Sequence, residues 1–200
     1  TGPLTGTSAQ TSGRGTVVTK SPQTGLFVDS HFGGFFAMEM KKAGWDFIII
    51  IGKSKNLIFI KIDNQPVEFQ TAEKIWGREC LETHNWIQEN VGKTRTAVIG
   101  PAGENLVKFA AITFDGHRHA GRCGTGAVMG SKNLKAVIAQ GTEKISIFDS
   151  AEHNNLRHIV NKKIKKGPNF IMKSSLSATT KFSPWLRRLG IKNYAKMSPN

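Results

Sequence analysis

Cysteine is scarce: the chain has two, Cys80 and Cys123, far apart in sequence. They form no CxxC pair and no Cys/His zinc spacing, and two cysteines do not make a disulfide framework. They read as reduced thiols, which predicts a cytoplasmic protein. No apolar run reaches the length of a membrane span; the most apolar stretch, Phe47-Ile48-Ile49-Ile50-Ile51, is strand-sized. The N-terminus, Thr1-Gly2-Pro3-Leu4, has no starting Met and no basic-then-apolar leader pattern, which reads as the middle of a longer protein. Repeats and heptads are lacking. So are paired carboxylates, a Ser-His-Asp set and an activated cysteine, and His117-x-His119 has no third metal ligand at a suitable spacing.

Acidic residues are few, and unevenly so. The formal net charge is +14. Residues 151–200 hold eleven Lys/Arg and one acid, Glu152, so most of the basicity belongs to the tail. Two basic clusters, Lys162-Lys163-Ile164-Lys165-Lys166 and Trp185-Leu186-Arg187-Arg188-Leu189, raise the alternative of a module that binds nucleic acid or an anionic membrane surface through residues 157–196. A solvated helical face is the preferred reading, because basic runs commonly are just that. Two hundred residues suffice for one domain plus part of another, with roughly 70% of the unfolded surface buried.

What is abundant is glycine at strand ends. Strands are predicted at Val17–Thr19, Leu26–Val28, Phe47–Ile51 (as a central strand buried on both faces), Leu57–Asp63, Val67–Phe69, Thr96–Gly100, Val107–Phe114, Lys135–Gln140 and Ile145–Ile147. Helices are predicted at Phe35–Lys42, Ala72–Cys80 capped by Thr71, and His84–Asn90 capped by Thr83. Two more are expected from about Ala127 and after Asp149 or Ser150. This is α+β: a β-rich platform of two packed sheets with a few inserted helices, followed by the start of a helical domain. The expected division is 1–148 and 149–200.

The stretch His117-Arg118-His119-Ala120-Gly121-Arg122-Cys123-Gly124-Thr125-Gly126-Ala127-Val128-Met129-Gly130 concentrates the signal. Glycine lets a backbone approach a ligand, and a helix start offers N–H donors to phosphate. The spacing fits neither the dinucleotide fingerprint nor the P-loop. Alone, this segment reads equally well as a phosphate-friendly loop or a tight structural turn. Gly13-Arg14-Gly15 and His31-Phe32-Gly33-Gly34 add two more glycine-bearing strand ends, one with an arginine, whose fork matches phosphate.

At these residues a family resemblance emerges. Gly2-Pro3-Leu4-Thr5-Gly6-Thr7, Gly13-Arg14, Val18-Thr19-Lys20-Ser21-Pro22, Gly33-Gly34-Phe35-Phe36, Ile99-Gly100-Pro101-Ala102-Gly103-Glu104-Asn105-Leu106-Val107 and Gly126-Ala127-Val128-Met129-Gly130-Ser131-Lys132-Asn133-Leu134-Lys135-Ala136 resemble the N-terminal domain of the tungsten-containing aldehyde:ferredoxin oxidoreductases, from residue 1 to about 148. The tail resembles the family poorly. The resemblance implies a bis-pterin cofactor holding tungsten, or molybdenum in some relatives, with a magnesium ion bridging the pterin phosphates. It implies oxidation of an aldehyde substrate to a carboxylic acid, with electrons passed through a [4Fe-4S] cluster to ferredoxin. The cluster's cysteines belong to regions outside this chain, so the remaining domains of the enzyme are expected partners, the fragment is expected to be inactive alone, and a homodimer stays open. A degenerate relative that has lost catalysis is a further alternative.

Position by position, the resemblance assigns cofactor contacts to Arg14, Gly33, Arg118 and Gly121. It assigns magnesium to the backbone carbonyls of His31 and His119, where the family often has Asn and Ala. Cys123 stands where the family has glycine; if that position needs φ > 0, the substitution is costly.

Overall fold

The computed structural model describes residues 1–166. The chain divides into two compact units, Thr1–Phe148 and Asp149–Asn200. Of the second unit, the helix α5 (Ser150–Lys166) is described; its start is held by the Asp149 carboxylate, which accepts the Glu152 N–H at 2.8 Å. The basic cluster Trp185–Leu189, and the alternative binding surface beyond residue 166, lie outside the described residues.

The first unit holds two sheets. β1 (Gly15–Lys20) and β2 (Phe27–Phe32) form an antiparallel pair, with Gly15 opposite Phe32 and Thr16 opposite His31. The second sheet contains β3 (Ile58–Ile62), β4 (Glu68–Thr71), β5 (Arg95–Val98), β6 (Ile112–Phe114), β7 (Arg118–Ala120) and β8 (Leu134–Ala139). Its order is β4-β3-β8-β5-β6-β7, antiparallel except where β3 runs beside β8. The inserted helices are α1 (Phe36–Lys42), α2 (Cys80–Asn90), α3 (Pro101–Glu104) and α4 (Thr125–Ser131). The α+β expectation holds. β8 is buried along its whole length, and its Leu-Lys-Ala-Val-Ile-Ala run, apolar but for Lys135, suits a strand covered on both faces.

Aromatic rings join the two sheets. Phe32 at the end of β2 stacks on Phe114 of β6, with centroids 3.6 Å apart, and Phe36 of α1 meets both edge-on. The ring of Phe32 also covers Gly15, where a Cβ would lie 2.3 Å from Cζ. A second apolar cluster, with Phe59, Ile75, Ile87 and Ile138, fills the space under α2.

Several expected elements are corrected. Phe47–Ile51 is not a central strand: it has no ladder partner among the described residues, Ile51 is 89% exposed, and only Ile48 packs on the core. β3 already has β4 and β8 on its two sides, which leaves no central slot for it. Residues 72–77 are a turn, not a helix. Gly77 at φ +83 ends it, and α2 then starts at Cys80 through a capping box between Glu79 and Glu82 rather than at Thr83. The strand expected over Val107–Phe114 is only Ile112–Phe114, because residues 107–110 close a turn in which the Ala110 N–H donates to the Val107 carbonyl at 2.8 Å. Ile145–Ile147 forms no strand; Ile145 instead lays its side chain over Gly6. β7 arises inside a stretch read as loop.

Candidate functional site: a basic cleft at three strand ends

The start of β1, the end of β2 and the start of β7 meet at one cleft of about 510 Å³. It is lined by Arg14, His31, Gly33, Gly34, Arg118 and His119, with Thr11, Gly13, Phe32 and His117 completing it. Antiparallel pairing explains half of this: with Gly15 opposite Phe32, Arg14 and Gly33 flank the same register end. The Phe32–Phe114 stack and the bond from the Arg122 N–H to Ser30 Oγ (3.2 Å) bring β7 and its following loop to that end.

The imidazoles of His31 and His119 are engaged with their own sheets. His31 Nδ1 pairs with Thr16 Oγ1 at 2.8 Å, and its Nε2 lies 3.1 Å from Asp29 Oδ2. His119 Nδ1 pairs with Thr113 Oγ1 at 3.1 Å on the neighbouring strand. His117 Nδ1 donates to the Asp115 carbonyl at 2.6 Å.

Two glycines suit the cleft for different reasons. Gly33 has open space where a Cβ would stand, so its bare backbone is accessible. Gly34 lies at φ +97, and a Cβ there would come 2.9 Å from Asp115 Oδ2. Gly121 is not part of the described lining; it follows β7, and its nearest non-neighbouring atom would be His119 Cβ, 3.9 Å from an added Cβ. The sequence stretches around Arg14, Gly33 and Arg118 are thus brought together, and Gly121 stands at their margin.

Of the two readings the sequence left open for the helix start, phosphate loop and structural turn, its backbone contacts fit the second. Gly124, Gly126 and Gly130 face protein backbone: added Cβ atoms would lie 2.0 Å from the Lys108 carbonyl oxygen, 2.4 Å from that of Ala111 and 2.0 Å from that of Gly103. The Gly126 N–H donates to Ala110, and those of Ala127 and Val128 to Gly124. These donors are spent within the chain, and the part of the segment that lines the cleft is 117–119. Cys123 adopts φ +68, the left-handed region that the glycine expectation required.

Sequence inspection missed Asp115. This side chain is 5% exposed and accepts N–H groups from Phe35 (2.9 Å) and Thr96 (3.3 Å). The signal available was Asp115-Gly116, a turn dipeptide between two apolar strands, which marks the turn but not the long-range partner. Behind it, His84 bonds Thr96 Oγ1 at 2.8 Å, and burial lowers its pKa, opposed by Asp115 and reinforced by His117 and Arg95.

The donor set suits a phosphate-bearing anion. It offers two guanidinium groups, no carboxylate in the described lining, and an unobstructed backbone at Gly33. Among the described residues no three His, Cys, Asp or Glu side chains converge on a metal site. Cys80 and Cys123 are free and partly buried. Among those residues, no helix is long and apolar enough to cross a membrane.

Fold and cleft together define a mixed α+β platform domain with a basic, carboxylate-free cleft at its strand ends. Residues 1–141 match the family described as aldehyde ferredoxin oxidoreductase, N-terminal domain, and the chain belongs to that family. It is 47% identical over 170 residues to a tungsten-containing aldehyde ferredoxin oxidoreductase of Pyrococcus horikoshii, covering 84% of this chain and 28% of that protein. The protein of the same name from Thermococcus kodakarensis is 50% identical over 167 residues, covering 82% and 27%. An aliphatic sulfonate oxidoreductase, WOR-like subunit, of Pyrococcus furiosus is 40% identical over 158 residues, covering 71% and 25%. Among solved structures, the active-site complex BamBC of benzoyl coenzyme A reductase, bound to 1,5-dienoyl-CoA, matches with a TM-score of 0.79 and 41% identity, over 82% of this chain and 25% of that one. The chain spans about a quarter of the length of the curated relatives it matches.

Proposed function

We propose that the chain is the cofactor-binding part of an oxidoreductase that converts an aldehyde and water to a carboxylic acid, releasing two protons and two electrons. The observation that carries this reading is the joining of Arg14, Gly33 and Arg118, from three separate stretches, at one carboxylate-free cleft. The names of the relatives add tungsten. Residues 1–148 serve as the bis-pterin platform, and residues 149–200 begin a second, helical domain. A tungsten or molybdenum bis-pterin, when bound, supplies the two-electron redox chemistry.

The residues of this chain bind and orient it. Arg14 and Arg118 neutralise phosphate charge, while Gly33 and Gly121 let the ligand lie against main chain. His31 and His119 would hold magnesium through their backbone carbonyls. Their rings being held by Thr16 and Thr113 supports a main-chain role, because the side chains are already occupied at Nδ1. A [4Fe-4S] cluster, held by regions outside this chain, would supply the electron path to ferredoxin, in the cytoplasm. The substrate pocket also lies outside it: relatives acting on aldehydes and on an aliphatic sulfonate both match this platform.

The test has two arms. Arg14→Ala and Arg118→Ala in the complete enzyme should each lower tungsten and pterin content per protein; full retention by both variants overturns the cleft assignment. The 200-residue chain alone should show no aldehyde-dependent viologen reduction, and clear turnover would refute its dependence on the remaining domains.

A further inference from the structure

The geometry points to Asp115 as the positioning residue of the anion cleft, acting through the main chain of Gly34–Phe35 and the stem of Arg118. This rests on the anion-binding reading above. Asp115 occupies the turn between β6 and β7, at φ +50, with Gly116 following at φ +76. Its carboxylate forms no ion pair among the described residues; its partners are backbone N–H groups. One is Thr96, next door on β5. The other is Phe35, eighty residues earlier, directly after the Gly33-Gly34 corner.

That single carboxylate therefore ties the β2 corner to the β6–β7 turn, the two walls that supply Gly33 and Arg118. The fit is close on both sides. A Cβ on Gly34 would sit 2.9 Å from Asp115 Oδ2 and 3.4 Å from Arg118 Cγ, so Gly34 must be bare for the corner to reach the carboxylate and lie along the arginine stem. The Asp115 carbonyl also accepts the His117 Nδ1–H at 2.6 Å, which fixes the residue next to Arg118 on the same wall. The carboxylate is absent from the cleft lining. A buried negative charge near an anion site is electrostatically adverse, so its use here is geometric: two N–H groups bonded to one charged acceptor are held more firmly than by a neutral one.

Asp115→Asn separates geometry from charge. It removes a negative charge near the cleft, which by Coulomb's law alone would tighten anion binding. It also sets an NH₂ against one of the two N–H donors, which frees one wall. Titration calorimetry with inorganic pyrophosphate on the full 200-residue chain should show binding weakened about tenfold for Asp115→Asn, the size expected for losing a hydrogen bond to a charged group. Near-ultraviolet circular dichroism identifies the folded protein. Affinity equal to or tighter than wild type in a folded Asp115→Asn overturns the inference. Should that variant not fold, Gly34→Ala decides: it keeps the charge but forces the carboxylate from Phe35, and wild-type affinity there overturns the inference equally. If the wild-type chain binds pyrophosphate and Arg118→Ala weakens it while Asp115→Asn does not, this inference alone falls. If the wild-type chain does not bind and Arg118→Ala changes nothing, the anion reading falls and takes this inference with it.

Discussion

Phe32 and Phe114, eighty-two positions apart, lie face to face with planes 4° from parallel. The stack holds the end of β2 against β6, and thereby sets the Gly33-Gly34 corner, through Gly34, beside Arg118. Truncating Phe114 to Ala should destabilise the fold by about 3–5 kcal/mol, the usual cost of removing a buried phenyl ring. Denaturant unfolding checks this, and a loss under 1 kcal/mol would mean the sheets are joined elsewhere.

The glycines separate into two uses, and substitution should distinguish them. Gly33→Ala has room for its methyl and should leave the unfolding midpoint nearly unchanged while weakening pyrophosphate binding. Gly130→Ala drives a methyl to within 2.0 Å of the Gly103 carbonyl oxygen and should cost about 1–3 kcal/mol, with the affinity of the folded protein kept. The reverse pattern would return the phosphate role to the start of α4.

Cys123→Gly should stabilise the protein. A non-glycine residue in the left-handed region is strained by about 1–2 kcal/mol, and Cys123 sits at φ +68. Against this stand the freer unfolded chain of glycine and a long contact from Sγ to the Asp29 carbonyl at 3.8 Å. A net gain of about 0.5–1 kcal/mol is expected, read as a melting temperature higher by about 1–4 °C for a unit of this size. A lower melting temperature would contradict it.

Lys135 on β8 is fully buried and pairs with Glu104, donating also to the Arg78 carbonyl at 2.8 Å. The Glu104 carboxylate in turn accepts the Gly77 N–H at 2.9 Å, which fastens the 72–77 turn. Glu104→Ala leaves a buried ammonium without its counter-charge and should cost about 3–5 kcal/mol. The double variant Glu104→Leu/Lys135→Met should recover much of that. A double variant as unstable as the single one would show that the pair itself, not its rupture, governs stability.

Burial lowers the pKa of His84 from its usual 6.5, so the folded state favours the neutral ring. On acidification the unfolded chain takes up its proton first. The contribution of His84 is complete above about pH 6.5 and is lost as pH falls toward the depressed folded value. His84→Gln should flatten the stability–pH curve in that window. An unchanged slope would assign the dependence to other groups.

The sequence legibly carried the local and chemical parts of this protein. Apolar runs and turn residues located β1–β5, β8, α1, α4 and α5, and the charge-and-glycine pattern marked Arg14, Gly33 and Arg118. These are properties of short segments: a turn, a cap or an apolar run is decided by neighbours in the chain. Family-specific motifs placed those segments in one domain. What tertiary structure decided was partnership. Phe47–Ile51 has every local mark of a buried strand, yet a strand needs an open ladder position, and β3 already had both its sides taken. Gly124, Gly126 and Gly130 look alike to Gly33 in sequence, but only the packed fold shows which backbone each one meets. Asp115 gave no sign of its reach to Phe35, because a hydrogen bond across eighty residues depends on how two sheets stack. The residue types of the stretch 117–130 thus left a phosphate loop and a structural turn equally open, and the packing of β7 against β2 set its first three residues at the cleft.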